Sequence, residues 1–185
     1  MRRITAGFSI FELLIITVMA ALGIAVKPVI SSLVRIITGP LAIPSGVLAG
    51  GIYMMFLIMA HGLTRKKPAG TLTALVQALL VMLIGIGSHG IMSFITYLFP
   101  GIAVDIAMST SRRNAPLPCF IAGLTANIVG TFTVGIILFN IPLIPLLLTL
   151  CVAALSGGIG GLFSYYILKQ IEKLNILPDN NRERK

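Results

Sequence analysis

SGVLAGGIYMMFLIMAHGL, residues 45–63, runs directly into Thr64-Arg65-Lys66-Lys67-Pro68. Nineteen residues pass without an Asp, Glu, Lys or Arg. An α-helix needs about 20 apolar residues to cross the hydrocarbon core of a bilayer. Three basic residues and a proline then end the run, and basic clusters in short loops mark the cytoplasmic side. The stretch therefore reads as a membrane-spanning helix that ends in the cytoplasm.

Moving outward, the same pattern repeats. An earlier apolar run spans residues 8–34, its character broken at Lys27-Pro28. Between the two lies Thr38-Gly39-Pro40-Leu41-Ala42-Ile43-Pro44, where two prolines and a glycine oppose helix. Further spans are predicted at 70–86, 91–108 (interrupted by Pro100-Gly101), 119–139 and 144–168. Gly87-Ser88-His89-Gly90 reads as a tight turn, and Asn140-Ile141-Pro142 closes the fifth span. Residues 169–185 read as a charged cytoplasmic tail, helical at first. Arg2 and Arg3 precede the first run, and no small-x-small cleavage site breaks it, so that run is expected to stay as a helix.

Composition agrees. The chain of 185 residues is 57% hydrophobic and 10% charged, with a mean hydropathy of +1.03. A soluble domain carries about 25% charged residues. The expected fold is an all-α membrane protein, a compact bundle of six transmembrane helices in a single domain. With the N-terminus inside, 12 of the 14 Lys and Arg fall on the cytoplasmic side, leaving Lys27 and Arg35 outside. Both termini are thus expected in the cytoplasm of a bacterial cell membrane. The net charge of +9 sits in short clusters between apolar runs, which excludes a nucleic-acid surface of interleaved basic and aromatic residues. Cys119 and Cys151 lie in apolar segments without metal spacing and read as buried small hydrophobes.

No hydrolytic triad, phosphate-binding loop, metal-ligand motif or dinucleotide fingerprint is present, so the chain is not expected to be an enzyme. His61 and His89 fall on opposite sides of the predicted membrane, and no metal site is expected. Polar residues within spans are costly and face a cavity or another helix. On the outer half these are Tyr53, His89, Ser93, Tyr97, Asn140 and Lys27; Asn127 and Thr131 share a face of the fifth span, and Gln77 lies mid-span in the third. For Asn127 and Tyr97, ligand binding and helix packing are both open; for Gln77 and His89 so are binding and, respectively, a neighbour's hydrogen bond and plain solvation. Glu12 and Asp105 lie toward the cytoplasmic end, where structural, subunit-contact and ligand roles are all open. Ala21 and Ala25 form AxxxA around Gly23, and Gly157 and Gly161 form GxxxG beside Ser156 and Gly160. Small residues four apart let helices approach closely, within the chain or between chains.

A family pattern emerges from the middle of the chain. Gly39-Pro40-Leu41 leads to Gly50-Gly51-Ile52-Tyr53; Arg65-Lys66-Lys67-Pro68-Ala69-Gly70 is similar to an RKPGA turn; Gly85 closes the third span; and Pro100-Gly101-Ile102-Ala103-Val104-Asp105 is similar to a QGxGAE stretch. Over Gly39 to about Met108 the chain resembles the substrate-binding S components of energy-coupling factor (ECF) vitamin transporters, most of all the YkoE-like hydroxymethylpyrimidine/thiamine permeases. The resemblance implies capture of a vitamin or vitamin precursor, thiamine or hydroxymethylpyrimidine, in an outward-facing pocket capped by the first external loop. It implies no cofactor in this chain. ATP and Mg²⁺ act in two partner ATPase subunits, joined through a transmembrane T subunit that Ala21 and Ala25 contact. Candidate ligand residues are Tyr53, His89, Tyr97, Asn127, Asn140, Asp105 and Gln77. The subfamily's glutamate on the third span has no counterpart, Gln77 being the nearest polar residue, and Asp105 stands where the subfamily has glutamate. The competing readings are a stand-alone small secondary transporter or channel, for which no repeat or line of ionisable residues is visible, and a membrane scaffold without ligand.

Overall fold

The computed structural model describes residues 7–38, 45–85, 90–109 and 115–174. Among them the chain forms six α-helices: α1 (Ile10–Thr38), α2 (Ser45–Thr64), α3 (Ala69–Ile84), α4 (Ser93–Ser109), α5 (Pro116–Thr133) and α6 (Leu143–Lys173). A 3₁₀ turn (Gly90–Met92) leads into α4, and a π turn (Val134–Leu138) continues α5. Four of these are long and apolar enough to cross a membrane: Ile10–Ile36, Ser45–Thr64, Pro116–Ile137 and Leu143–Lys173. The apolar helices α3 and α4 are shorter, at 16 and 17 residues. Large apolar side chains cover the outside, among them Leu14, Val18 and Val29 of α1 and Leu155, Ile159 and Phe163 of α6. Lipid, not water, is the solvent for such a surface. The protein is a multi-pass membrane protein.

Local chemistry explains three of the helix ends. Ser9 and Glu12 form a reciprocal capping box at the start of α1: the Ser9 N–H donates to Glu12 Oε2 at 2.7 Å and the Glu12 N–H to Ser9 Oγ at 3.2 Å. Gly85, at φ +72°, ends α3 in the left-handed conformation that glycine adopts without strain. Pro116 and Pro118 occupy the first turn of α5, where a missing N–H costs nothing, so this helix begins three residues before the predicted Cys119. Pro28 and Pro100 lie inside α1 and α4, and each helix continues through its proline.

The core forms where α2 to α5 meet, around Leu57, Ile58, Ala74, Val104, Cys119 and Ala126. Helix α6 packs against both α5 and α2 with backbones in near contact. A Cβ on Gly157 would collide with the Gly123 carbonyl, one on Gly161 with the Cys119 carbonyl, and one on Gly160 with the Gly51 carbonyl. The GxxxG of α6 is thus spent inside the chain. Ser156 adds a clasp, donating to the Leu48 carbonyl and accepting from the Gly51 N–H. Ala21 and Ala25, by contrast, are exposed on the outer face of α1, while Gly23 between them turns inward against Gln77. One expectation is corrected: Cys119 is buried, but Cys151 is exposed on the outer face of α6.

Candidate functional site

A cavity of about 580 Å³ opens between the helices at the end of the bundle where α1 ends, α2 begins and α5 passes into α6. That volume suits a small organic molecule. Its wall is built from one stripe of α1, where Lys27, Ser31, Arg35 and Thr38 recur at helical spacing, and from the facing sides of the other helices. Gly50, Tyr53 and Leu57 come from α2, Gln77 from α3, Thr96, Tyr97 and Pro100 from α4, and Asn127, Gly130 and Thr131 from α5. Val134 and Gly135 of the π turn, with Phe139 and Ile141, close the side next to α6, which contributes Thr149. Such π turns recur at functional sites. Of the two interior prolines, Pro100 lines this space itself and Pro28 follows the lining residue Lys27. Each leaves the carbonyl four residues earlier without its intrahelical donor, that of Ile24 in α1 and of Thr96 in α4, and both of these residues line the cavity.

Lys27 and the two tyrosines form the polar centre of this wall. Lys27 Nζ donates to the Tyr97 hydroxyl and lies 4.7 Å from the Tyr97 ring centroid and 5.9 Å from that of Tyr53. The Tyr53 hydroxyl donates to the Lys27 carbonyl at 3.1 Å and pairs with Ser31 Oγ at 2.7 Å. The tyrosines therefore hold the ammonium by hydrogen bond and ring face together.

Asn127 and Gln77 also reach the cavity, but most of each is committed to packing. Asn127 donates from Nδ2 to the Val47 carbonyl at 3.1 Å and the Ala153 carbonyl at 2.9 Å, tying α5 to α2 and α6, and its Oδ1 fills the space over Gly50. Gln77 lies against the bare backbone of Gly23 and is 4% exposed. Asn140 lies in the α5–α6 connection at φ +45°, exposed and outside the cavity lining. His89 lies outside the described residues.

Asp105 is at the opposite end of the bundle. His61 Nδ1 lies 2.7 Å from Asp105 Oδ1, which also accepts from the Gly70 N–H at 2.9 Å. Its Oδ2 accepts from the Thr71 N–H at 2.7 Å and the Thr71 hydroxyl at 2.6 Å. The carboxylate thus caps the N-terminus of α3 from a neighbouring helix, where the partial positive charge of the helix dipole favours it. Two ion pairs join it at this end: Lys66 with Glu12 at 2.6 Å and Arg65 with Glu172 at 2.7 Å. Among the described residues no group of three His, Cys, Asp or Glu is placed to hold a metal ion.

Sequence reasoning singled out Tyr53, Tyr97, Asn127, Gln77 and Lys27, and the structure brings all five to one cavity. It did not single out Ser31, Arg35 and Thr38. Their signal was present: with Lys27 they form a polar stripe four and three residues apart in an otherwise apolar helix.

A crystal structure described as an S-component of an ECF transporter superposes with a TM-score of 0.75 at 18% identity, over 92% of this chain and 89% of that one. The fold is shared. Comparison with curated proteins gives no match. Residues 11–129, well over half of the chain, match the family model described as "ABC-type cobalt transport system, permease component". On that match, the chain belongs to the family of ABC-type cobalt transport system permease components.

Proposed function

We propose that this chain is the substrate-binding S component of an ECF-type ABC importer, capturing a vitamin or vitamin precursor for ATP-driven uptake. The carrying observation is the cavity: vitamin-sized, mostly apolar, with a few placed polar groups, at one end of a bundle that shares its fold with an S component. Six crossings with both termini in the cytoplasm put the cavity on the outer side and Arg65, Lys66 and Lys67 inside. The chain itself does no chemistry. A T subunit and two ATPase subunits supply the energy, and the exposed small face at Ala21 and Ala25 is the docking surface for the T subunit.

Thiamine and hydroxymethylpyrimidine, the ligands the sequence resemblance implies, are the first compounds to test. Lys27 in the wall sets the cation thiamine at a disadvantage against the neutral pyrimidine. The family's description raises cobalt as cargo. Cobalt(II) favours imidazole, thiolate and carboxylate ligands, whereas the described lining offers hydroxyls, amides and two cations. An organic ligand suits this wall better.

The test is reconstitution. Uptake into proteoliposomes should require the T and ATPase subunits with ATP; uptake by this chain alone would remove the S-component reading. Ala21→Leu with Ala25→Leu should abolish co-purification with the T subunit and leave ligand affinity unchanged. Equal recovery of the complex would take the docking role away from that face.

A further inference from the structure

Among the described residues, Lys27 has no acidic counter-ion. The chain contains five acids. Glu12 pairs with Lys66, Glu172 with Arg65, and Asp105 with His61 and the N-terminus of α3, all at the end away from the cavity. The other two, Asp179 and Glu183, lie outside the described residues, six and ten positions after Lys173 in the sequence. The sequence that joins α1 to α2 (residues 39–44) and residues 86–89 after Gly85 contain no acid. Lys27 is half-buried against two tyrosine rings in a membrane-spanning helix and turns its charge into the cavity wall. An ammonium held in such surroundings without an anion is costly, and a hydroxyl with two ring faces offsets only part of the cost. A bound anion removes the rest.

We propose that the cavity is selective for a ring compound bearing a carboxylate, with Lys27 as the group that pairs with it. This rests on the reading of the chain as a ligand-binding subunit. One negative charge matches the depth of the site. Lys27 and Arg35 are eight residues apart on α1, about 12 Å along the axis, so the two do not grip one small group together. Lys27 pairs with the carboxylate inside, beside the Ser31 hydroxyl that is already tied to Tyr53. Arg35 is exposed and draws anions toward the opening. Tyr53, Tyr97 and Phe139 offer ring faces and edges to the rest of the molecule. Selectivity follows from repulsion as much as attraction: a cationic ligand meets Lys27 without a screening acid, and a neutral one leaves it unpaired.

The experiment measures binding and melting temperature of the purified full chain in nanodiscs against vitamin-sized ring compounds supplied as matched pairs. Each pair is a carboxylate and its amide, such as nicotinate with nicotinamide and p-aminobenzoate with p-aminobenzamide, with thiamine as the cation. The expected result is stabilisation by carboxylates, at least tenfold tighter than by their amides, and none by thiamine. Lys27→Gln should weaken the carboxylates by about 30-fold or more and the amides hardly at all. Lys27→Arg should keep the preference. Without ligand, Lys27→Gln should melt at the wild-type temperature or above, which a purely structural lysine would not do. Equal binding of acid and amide, a preference for thiamine, or full carboxylate binding by Lys27→Gln overturns the inference and leaves the ligand-binding reading intact. A melting curve unmoved by every compound of every charge overturns both.

Discussion

At the end of the bundle where α2 turns into α3, each described acid has a partner: Glu12 meets Lys66, Glu172 meets Arg65, and Asp105 meets His61 and three donors of α3. At the other end, Lys27 and Arg35 line a cavity wall that contains no acid. Both ends carry ionisable groups in or next to lipid, where an unpaired charge is expensive. The first end meets that cost from within the chain and is finished as folded. The second leaves the cost unmet until something enters. The contrast separates charges that hold the fold from charges that await a ligand, and substitutions on either side of it should behave differently.

The largest effect is expected from Asp105→Ala. It leaves His61 and the Gly70 and Thr71 donors without an acceptor at a buried junction of three helices, a loss of about 3 kcal/mol or more. Thermal or denaturant unfolding of the purified protein in detergent reads it out directly. Asp105→Asn should recover part of the loss, since one amide oxygen still accepts. If Asp105→Ala unfolded no more easily than Lys27→Gln, the two ends would not differ in the way described.

Gly157→Ala comes next and tests the rigid frame that joins the two ends. The added methyl would lie 2.7 Å from Asn127 Cβ and against the Gly123 carbonyl. Neither is the end of a flexible side chain, so α5 and α6 must separate. A loss of about 2 kcal/mol is expected, and the displacement of Asn127 should also reshape the cavity wall and weaken ligand binding. Unchanged melting would mean that the helices have slack at their closest approach.

How much of this was legible in sequence follows from what lipid does to hydrophobic pattern. The spans were readable because length and apolarity alone report them: the predicted 45–63 is α2 to within one residue, and the predicted 70–86 lies within two residues of α3 at each end. Which side of a span faces inward was not readable from apolar residues, because lipid and helix interior are equally apolar. Only polar residues carried that information. They did so for Tyr53 and Tyr97, where an isolated hydroxyl marked the cavity side, and for the Lys27–Thr38 stripe, whose period the proline at 28 obscured. Partnership across the fold was out of reach. Asp105 precedes Arg112 and Arg113 by two turns, yet its partner described here is His61, 44 residues earlier, because α2 and α4 meet at the end where α3 begins. Asn127 likewise had two open roles in sequence; its amide tie to Val47 and Ala153 depends on α2 and α6 flanking α5.

The smallest effects test the paired end against itself. Lys66 and Arg65 are neighbours in sequence, and each makes one ion pair across the bundle, at 2.6 and 2.7 Å. Their surroundings differ. Glu12 is 5% exposed and also holds the capping box of α1, so Lys66→Ala strands a buried carboxylate next to the start of the helix. A loss of about 1–2 kcal/mol is expected. The Arg65 side chain is 66% exposed and its Glu172 partner 35%, so water and salt screen the pair. Arg65→Ala should cost about 0.5 kcal/mol or less, and that small loss should vanish in high salt. Melting curves of both variants at low and high ionic strength give the comparison. Equal losses for the two would mean that burial of the acid is irrelevant here, and the pairing at this end would then be a surface decoration with no share in holding the helices together.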